Sequence, residues 1–92
     1  MQSRVVITVV GKDTVGIIAR VCTVLSGHGI NILEISQTIV SGFFNMMMIT
    51  DISKSDLSFD EMQDVLEKTG KEIGVDIRAQ REEIFDMMHR IG

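Results

Sequence analysis

The order in which the period of the apolar residues changes leaves this chain few ways to fold. Residues 4–10, Arg-Val-Val-Ile-Thr-Val-Val, are β-branched almost throughout, which predicts a strand buried on both faces. Gly11-Lys12-Asp13 breaks that run. Ile17, Val21, Val24 and Leu25 then recur at helical spacing, with Ile18 and Cys22 beside them, so residues 15–28 are expected to be helical. Thr14 stands where an N-cap belongs, and Val15 at the first helical position. His28 and Gly29 close the segment with a cation-capable ring and a left-handed glycine. Residues 30–40 and 43–51 are two apolar runs separated only by Ser41-Gly42, a hairpin signal. Within the first run Leu33, Ile35 and Ile39 face one way, and Glu34, Ser36 and Thr38 the other. A polar stretch from Ile52 to Leu57 leads into Ser58-Phe-Asp-Glu61, the spacing of a capping box. Phe59, Met62, Leu66 and Ile73 follow at helical intervals before Gly74. Val75, Ile77 and Ala79 alternate with Asp76, Arg78 and Gln80 in a last strand.

The order is thus β-α-β-β-α-β. Right-handed crossovers place both helices on one face of an antiparallel four-stranded sheet of order 4-1-3-2, an α+β ferredoxin-like sandwich. The other face stays open and partly wet, since Glu34, Ser36, Thr38, Arg78 and Gln80 point that way. From about residue 81 to 91 a short C-terminal helix is expected. Its stripe of Ile84, Met87, Met88 and Ile91, with Phe85 adjacent, must be buried on the open sheet face or on a partner. Residues 1–92 read as a single domain with its core in about 3–80. A chain this short buries about 60–65% of its unfolded surface. The core is thin, and a homo-oligomer, a dimer or higher, is expected.

Charge and cysteine usage exclude several functions. The net charge is −4 and the nine basic residues are scattered, so there is no basic face for nucleic acid or for an anionic membrane. No apolar run approaches a membrane span, and the strand pattern begins without a signal-peptide core. Cys22 is the sole cysteine and cannot form an internal disulfide. The expected setting is the reducing cytoplasm. Met46-Met47-Met48 alternate across a strand and cannot converge on one ion, and His28 and His89 lack ligand spacing. Neither metal nor cofactor is expected.

Two features remain as candidates for function. The loop Gly11-Lys-Asp-Thr-Val-Gly-Ile17 leads from a central strand into a helix, whose free N–H groups attract carboxylates and phosphates. Gly16 either lets a ligand approach those amides or permits tight helix–strand packing. Asn31 begins the second strand. Its amide either pairs with an amine and a carboxylate or bonds its own turn.

Asp13-Thr14-Val15-Gly16-Ile17-Ile18, then Gly29-Ile30-Asn31-Ile32, Ile35-Ser36-Gln37 and the closing Gly74-Val75-Asp76-Ile77 resemble the ACT domain pattern over roughly residues 3–80. The likeness is greatest to small free-standing members, and it departs at Val15, where many members have Pro. It implies a non-enzymatic regulatory module that binds an amino acid between paired domains and acts on a separate target enzyme. Carried over, Asp13, Val15, Gly16 and Ile17 form one wall of the site, and Asn31 and Ile32 of the other subunit face it. The carboxylate would take N–H groups near Val15 to Ile17, Asp13 and Asn31 would hold the ammonium, and Ile17 and Ile32 would meet the side chain. One alternative keeps only the pairing role and binds no ligand. Another is an acylphosphatase-like hydrolase using Arg20 and Asn45, although Arg20 falls inside the first helix rather than at its start. A metal chaperone would need Cys-x-x-Cys, and an RNA-recognition module would need exposed aromatics and basic residues; the chain has neither set.

Overall fold

A computed structural model of the chain describes residues 3–12 and 15–83. Strand β1 (Arg4–Lys12) leads to helix α1 (Ile17–Gly27), the hairpin β2 (Asn31–Val40) and β3 (Phe43–Asp51), helix α2 (Phe59–Ile73) and strand β4 (Val75–Arg81). The antiparallel sheet has the order β2-β3-β1-β4, the expected ferredoxin-like topology read from the other edge. The C-terminal helix expected from about residue 81 to 91 lies, beyond Glu83, outside the described residues.

Local chemistry explains most of the boundaries. Ser41 and Gly42 both have positive φ, 51° and 81°, as the hairpin turn that matches strand twist requires. Val40 therefore pairs directly with Phe43. Helix α1 ends in a Schellman motif. The Ile30 N–H donates to the Leu25 carbonyl and the Gly29 N–H to that of Ser26, with Gly29 left-handed at φ 73°. Helix α2 starts with the capping box in full: the Ser58 hydroxyl accepts from the Glu61 N–H, and the Glu61 carboxylate accepts from the Ser58 N–H. Those bonds hold the Glu61 carboxyl below its ordinary pKa, the one to the Ser58 backbone most strongly.

The core lies between the sheet and the two helices. Val5, Ile7 and Val9 of β1, Phe44, Met46 and Met48 of β3, and Val75, Ile77 and Ala79 of β4 share the covered face, and Ile17, Val21, Leu25, Met62 and Leu66 descend onto them. Buried Thr50 donates its hydroxyl to the Val5 carbonyl at 2.9 Å, so that face carries no unmet hydroxyl. Met46 and Met48 are buried while Met47 is exposed on the other side, which makes the methionine run core filling.

Three expectations change, and one contact was not foreseen. Helix α1 starts at Ile17 with Gly16 as its N-cap, not at Val15 after Thr14. Gly16 has φ 90°, a turn that glycine alone takes at low cost, and it delays the helix by two residues. The strict alternation along β2 is interrupted. Ile32 pairs with Thr50 and Glu34 with Ile49, so Leu33 is an inserted bulge residue, and Ile32 and Ile35 come to one face despite their odd separation. Val10, at the far end of β1, is exposed rather than buried. Finally, α2 buries Thr69 and Gly70 as well as Met62 and Leu66, because at Gly70 the helix backbone lies against β4. A Cβ there would stand 2.6 Å from the Val75 carbonyl oxygen.

The two sheet edges differ. Along β4 the Gln63 amide donates to the Ala79 carbonyl at 3.1 Å, and the Arg81 guanidinium sits 4.5 Å above the Phe59 ring. Along β2 no residue is buried. Its hydrogen-bonding edge and the side chains of Ile35 and Ile39 are left uncovered.

Candidate ligand-binding site

Antiparallel return through the hairpin sets the last residues of β2 and the first of β3 beside the end of β1, where α1 begins. The N-terminus of α1 and the end of β2 thus bound one groove, lined by Gly16, Ile17, Ile18, Ala19, Gln37, Ile39 and Phe44, with a volume of about 460 Å³. The first intrahelical bond runs from the Arg20 N–H to the Gly16 carbonyl at 2.9 Å. Among the described residues no side chain caps this end, in contrast to α2. The amides ahead of Arg20 are those an α-helix leaves without an internal acceptor.

Gly16 does not serve packing. A Cβ built on it meets nothing within 4 Å, so its requirement is the positive φ, and the space beside it is open. The glycines in tight contact are elsewhere: Gly11 against Val75, Gly70 against the Val75 backbone, and Gly29 against the Lys54 carbonyl. Val15 is fully exposed. The Ile17 side chain is committed to the core with Val21 and Leu25, so it offers a ligand its backbone N–H rather than its side chain. Asp13 and Thr14 lie outside the described residues.

Asn31 and Ile32 line a second hollow with Ser26, Gly29 and Ile30, at the opposite end of α1. Asn31 is exposed, and its side chain bonds none of the described residues, so a turn bond does not account for it. Beside this hollow the Asp56 N–H donates to the His28 carbonyl, and the Asp56 carboxylate lies 3.0 Å from His28 Nδ1. The eleven residues of α1 separate the two hollows by about 16 Å. One chain therefore brings together Gly16 and Ile17, and separately Asn31 and Ile32, but not the two pairs with each other.

Gln37, Ile39 and Phe44 were not among the expected site residues. The signal for them was topological: in a βαββ unit the second strand ends where the first helix starts. The acylphosphatase pairing does not assemble. Arg20, on the helix side of the sheet, makes an ion pair with Glu72 of α2. Asn45 pairs in register between Thr38 and Val10 on the opposite, open face. Among the described residues no group of His, Cys, Asp and Glu is arranged to hold a metal ion, and no helix is long and apolar enough to cross a membrane.

The frame is a ferredoxin-like sandwich with a left-handed glycine turn at its first helix and an exposed second strand. The model of the ACT domain family matches residues 3–80, and the chain belongs to that family. A UPF0237 protein of Bifidobacterium longum is 62% identical over 98% of this chain and 100% of its own length. Another from Methanocaldococcus jannaschii is 47% identical over 98% of this chain and 100% of its own length. The solved structure of an ACT domain protein from Streptococcus pneumoniae superposes with a TM-score of 0.82 at 35% identity, covering 94% of this chain and 97% of the other. A formyltetrahydrofolate deformylase from Pseudomonas syringae shares the fold at a TM-score of 0.78 and 24% identity, with 88% of this chain matched to 28% of the enzyme.

Proposed function

We propose that the chain is a regulatory module that pairs through β2, binds an amino acid between two copies and acts on a separate target protein. The observation that carries this is the separation of the two half-sites at opposite ends of α1, beside an uncovered strand. Antiparallel pairing of β2 with its counterpart sets the start of one strand against the end of the other. Asn31 and Ile32 of one copy then approach the groove under Gly16 and Ile39 of its mate. The asymmetry of the edges supports the same geometry, since α2 guards β4 while among the described residues none covers the β2 edge. In that arrangement the α1 amides receive the ligand carboxylate, the Asn31 amide carbonyl accepts from its ammonium, and Ile39, Ile18 and Ile32 meet its side chain.

A thermal-shift screen against the proteinogenic amino acids tests this reading. A ligand at a hundredfold excess over its Kd stabilises the protein by about 2.7 kcal/mol. For a domain of this size that raises Tm by about 10 °C or more. A flat response to all of them would leave the pairing role alone, the second reading that the bare β2 edge favours.

A further inference from the structure

Gln37 is a polar residue in an apolar row. On the helix side of β2 it stands with Ile32, Ile35 and Ile39, opposite the buried Met46 of β3. Its carboxamide bonds none of the described residues. Among the described residues that line the groove under Gly16 it is the only polar side chain. In a single copy Gln37 is exposed, and water satisfies it. In the pair formed through β2 that water is displaced. The register that brings Asn31 beside Ile39 of the mate sets Gln37 against the mate's Ile32–Leu33 bulge, which has no polar side chain to offer. A buried amide without a partner is costly, and the ligand is the group left to supply one.

The two half-sites also lack charge. Neither has a charged side chain among its described residues. The charged groups nearby are engaged or face away: Arg20 pairs with Glu72, Asp56 faces His28, and Glu34 lies on the open face opposite Ile49. A ligand side chain with a full charge would enter a closed pocket without a counter-charge there, at a heavy cost in affinity.

We propose that Gln37 is the specificity-determining residue of the shared pocket, and that the ligand is an amino acid whose uncharged side chain bears a hydroxyl or an amide. The proposal rests on the paired reading above. The α1 amides and Asn31 hold the ligand's carboxylate and ammonium, Ile18, Ile32 and Ile39 enclose its carbon atoms, and the Gln37 carboxamide reads the polar group beyond them. A carboxamide both donates and accepts, so it serves either kind of group. An apolar analogue of the same shape is rejected, because Gln37 then stays buried and unpaired.

Calorimetry on the full chain tests this by comparing threonine with valine, asparagine with leucine and serine with alanine. In at least one pair the polar member should bind about tenfold more tightly or better. Gln37→Leu, a change at an exposed position that the fold of one copy tolerates, should abolish that ratio by weakening the polar member while the apolar one binds as before or more tightly. Equal affinity within every pair that binds would overturn the proposal and leave amino-acid binding intact. Equal weakening of both members by Gln37→Leu would overturn it too, since a residue that only supports pairing acts on all ligands alike. Binding confined to charged or wholly apolar amino acids would do the same. Silence from every proteinogenic amino acid would instead remove the paired reading itself, and this proposal with it.

Discussion

If β2 is the pairing edge, lysines on its helix-side face should separate the copies. Ile35 is 45% exposed and Ile39 59%, so together their uncovered parts amount to about one full isoleucine side chain per copy. Burying an isoleucine is worth about 1.5–3 kcal/mol, so two copies stand to lose about 3–6 kcal/mol if both exposed parts are covered in the pair. The double variant Ile35→Lys, Ile39→Lys should therefore raise the dimer Kd by about 10²–10⁴-fold. The figure is an upper bound, because lysine stems keep part of the contact. Neither side chain is buried in one chain, so folding of the single copy should survive, with Tm extrapolated to low concentration little changed. Sedimentation equilibrium across a concentration series reads the Kd directly. A variant that self-associates like the parent would refute pairing through β2, and so would a parent that stays monomeric at every concentration.

The remaining predictions concern the frame that holds the site. Gly70→Ala should destabilise the fold despite alanine's helical advantage of about 0.5–1 kcal/mol. The new Cβ meets the Val75 carbonyl at 2.6 Å, a backbone atom that cannot swing aside, and overpacking of this kind costs about 1–3 kcal/mol. A net loss near 1 kcal/mol lowers Tm by about 4–8 °C, whereas a higher Tm would show that α2 does not press on β4 there. Ser58→Ala removes the acceptor for the Glu61 N–H and should cost about 1 kcal/mol in denaturant unfolding. Because the folded pKa of Glu61 lies below its ordinary 4.5, its ionised form adds stability that is fully present above pH 4.5 and is lost as the pH falls through the folded value. The stability difference between the parent and Glu61→Gln should be constant above that point and shrink below it. A difference that grows on acidification would contradict the capping geometry.

What could be read from the residues was what local chemistry decides. The Ser41-Gly42 turn, the Gly29 helix stop and the Ser58–Glu61 box each depend on a few adjacent residues, and each formed as expected. From them and the handedness of crossovers the sheet order follows. Misreadings arose where a distant neighbour or a second backbone option intervened. Thr14 is a good N-cap, but Gly16 two residues later allows a left-handed turn that moves the helix start. The bulge at Leu33 has no local mark, because it is set by how Ile32 and Glu34 align with β3. Gly70 stood inside a helical pattern as a visible irregularity, and its meaning lay in β4. The candidate site was legible only in halves. Gly16 and Asn31 stand out in the sequence, but a helix length separates them, and in the proposed reading the surface that joins them is that of another copy of the chain.

Mixing two damaged copies tests that central claim most directly. Gly16→Asn keeps a residue that tolerates the left-handed turn while filling the open space, and Asn31→Ala removes the amide from the second half-site. Each homodimer carries a defect in both pockets. A mixed dimer carries both defects in one pocket and none in the other. With an amino acid that binds the parent protein, calorimetry should find binding lost in each variant alone. In the equimolar mixture, parental affinity should return at about one site per mixed dimer. No recovery on mixing, with exchange of subunits verified by mass, would contradict a pocket shared between two copies.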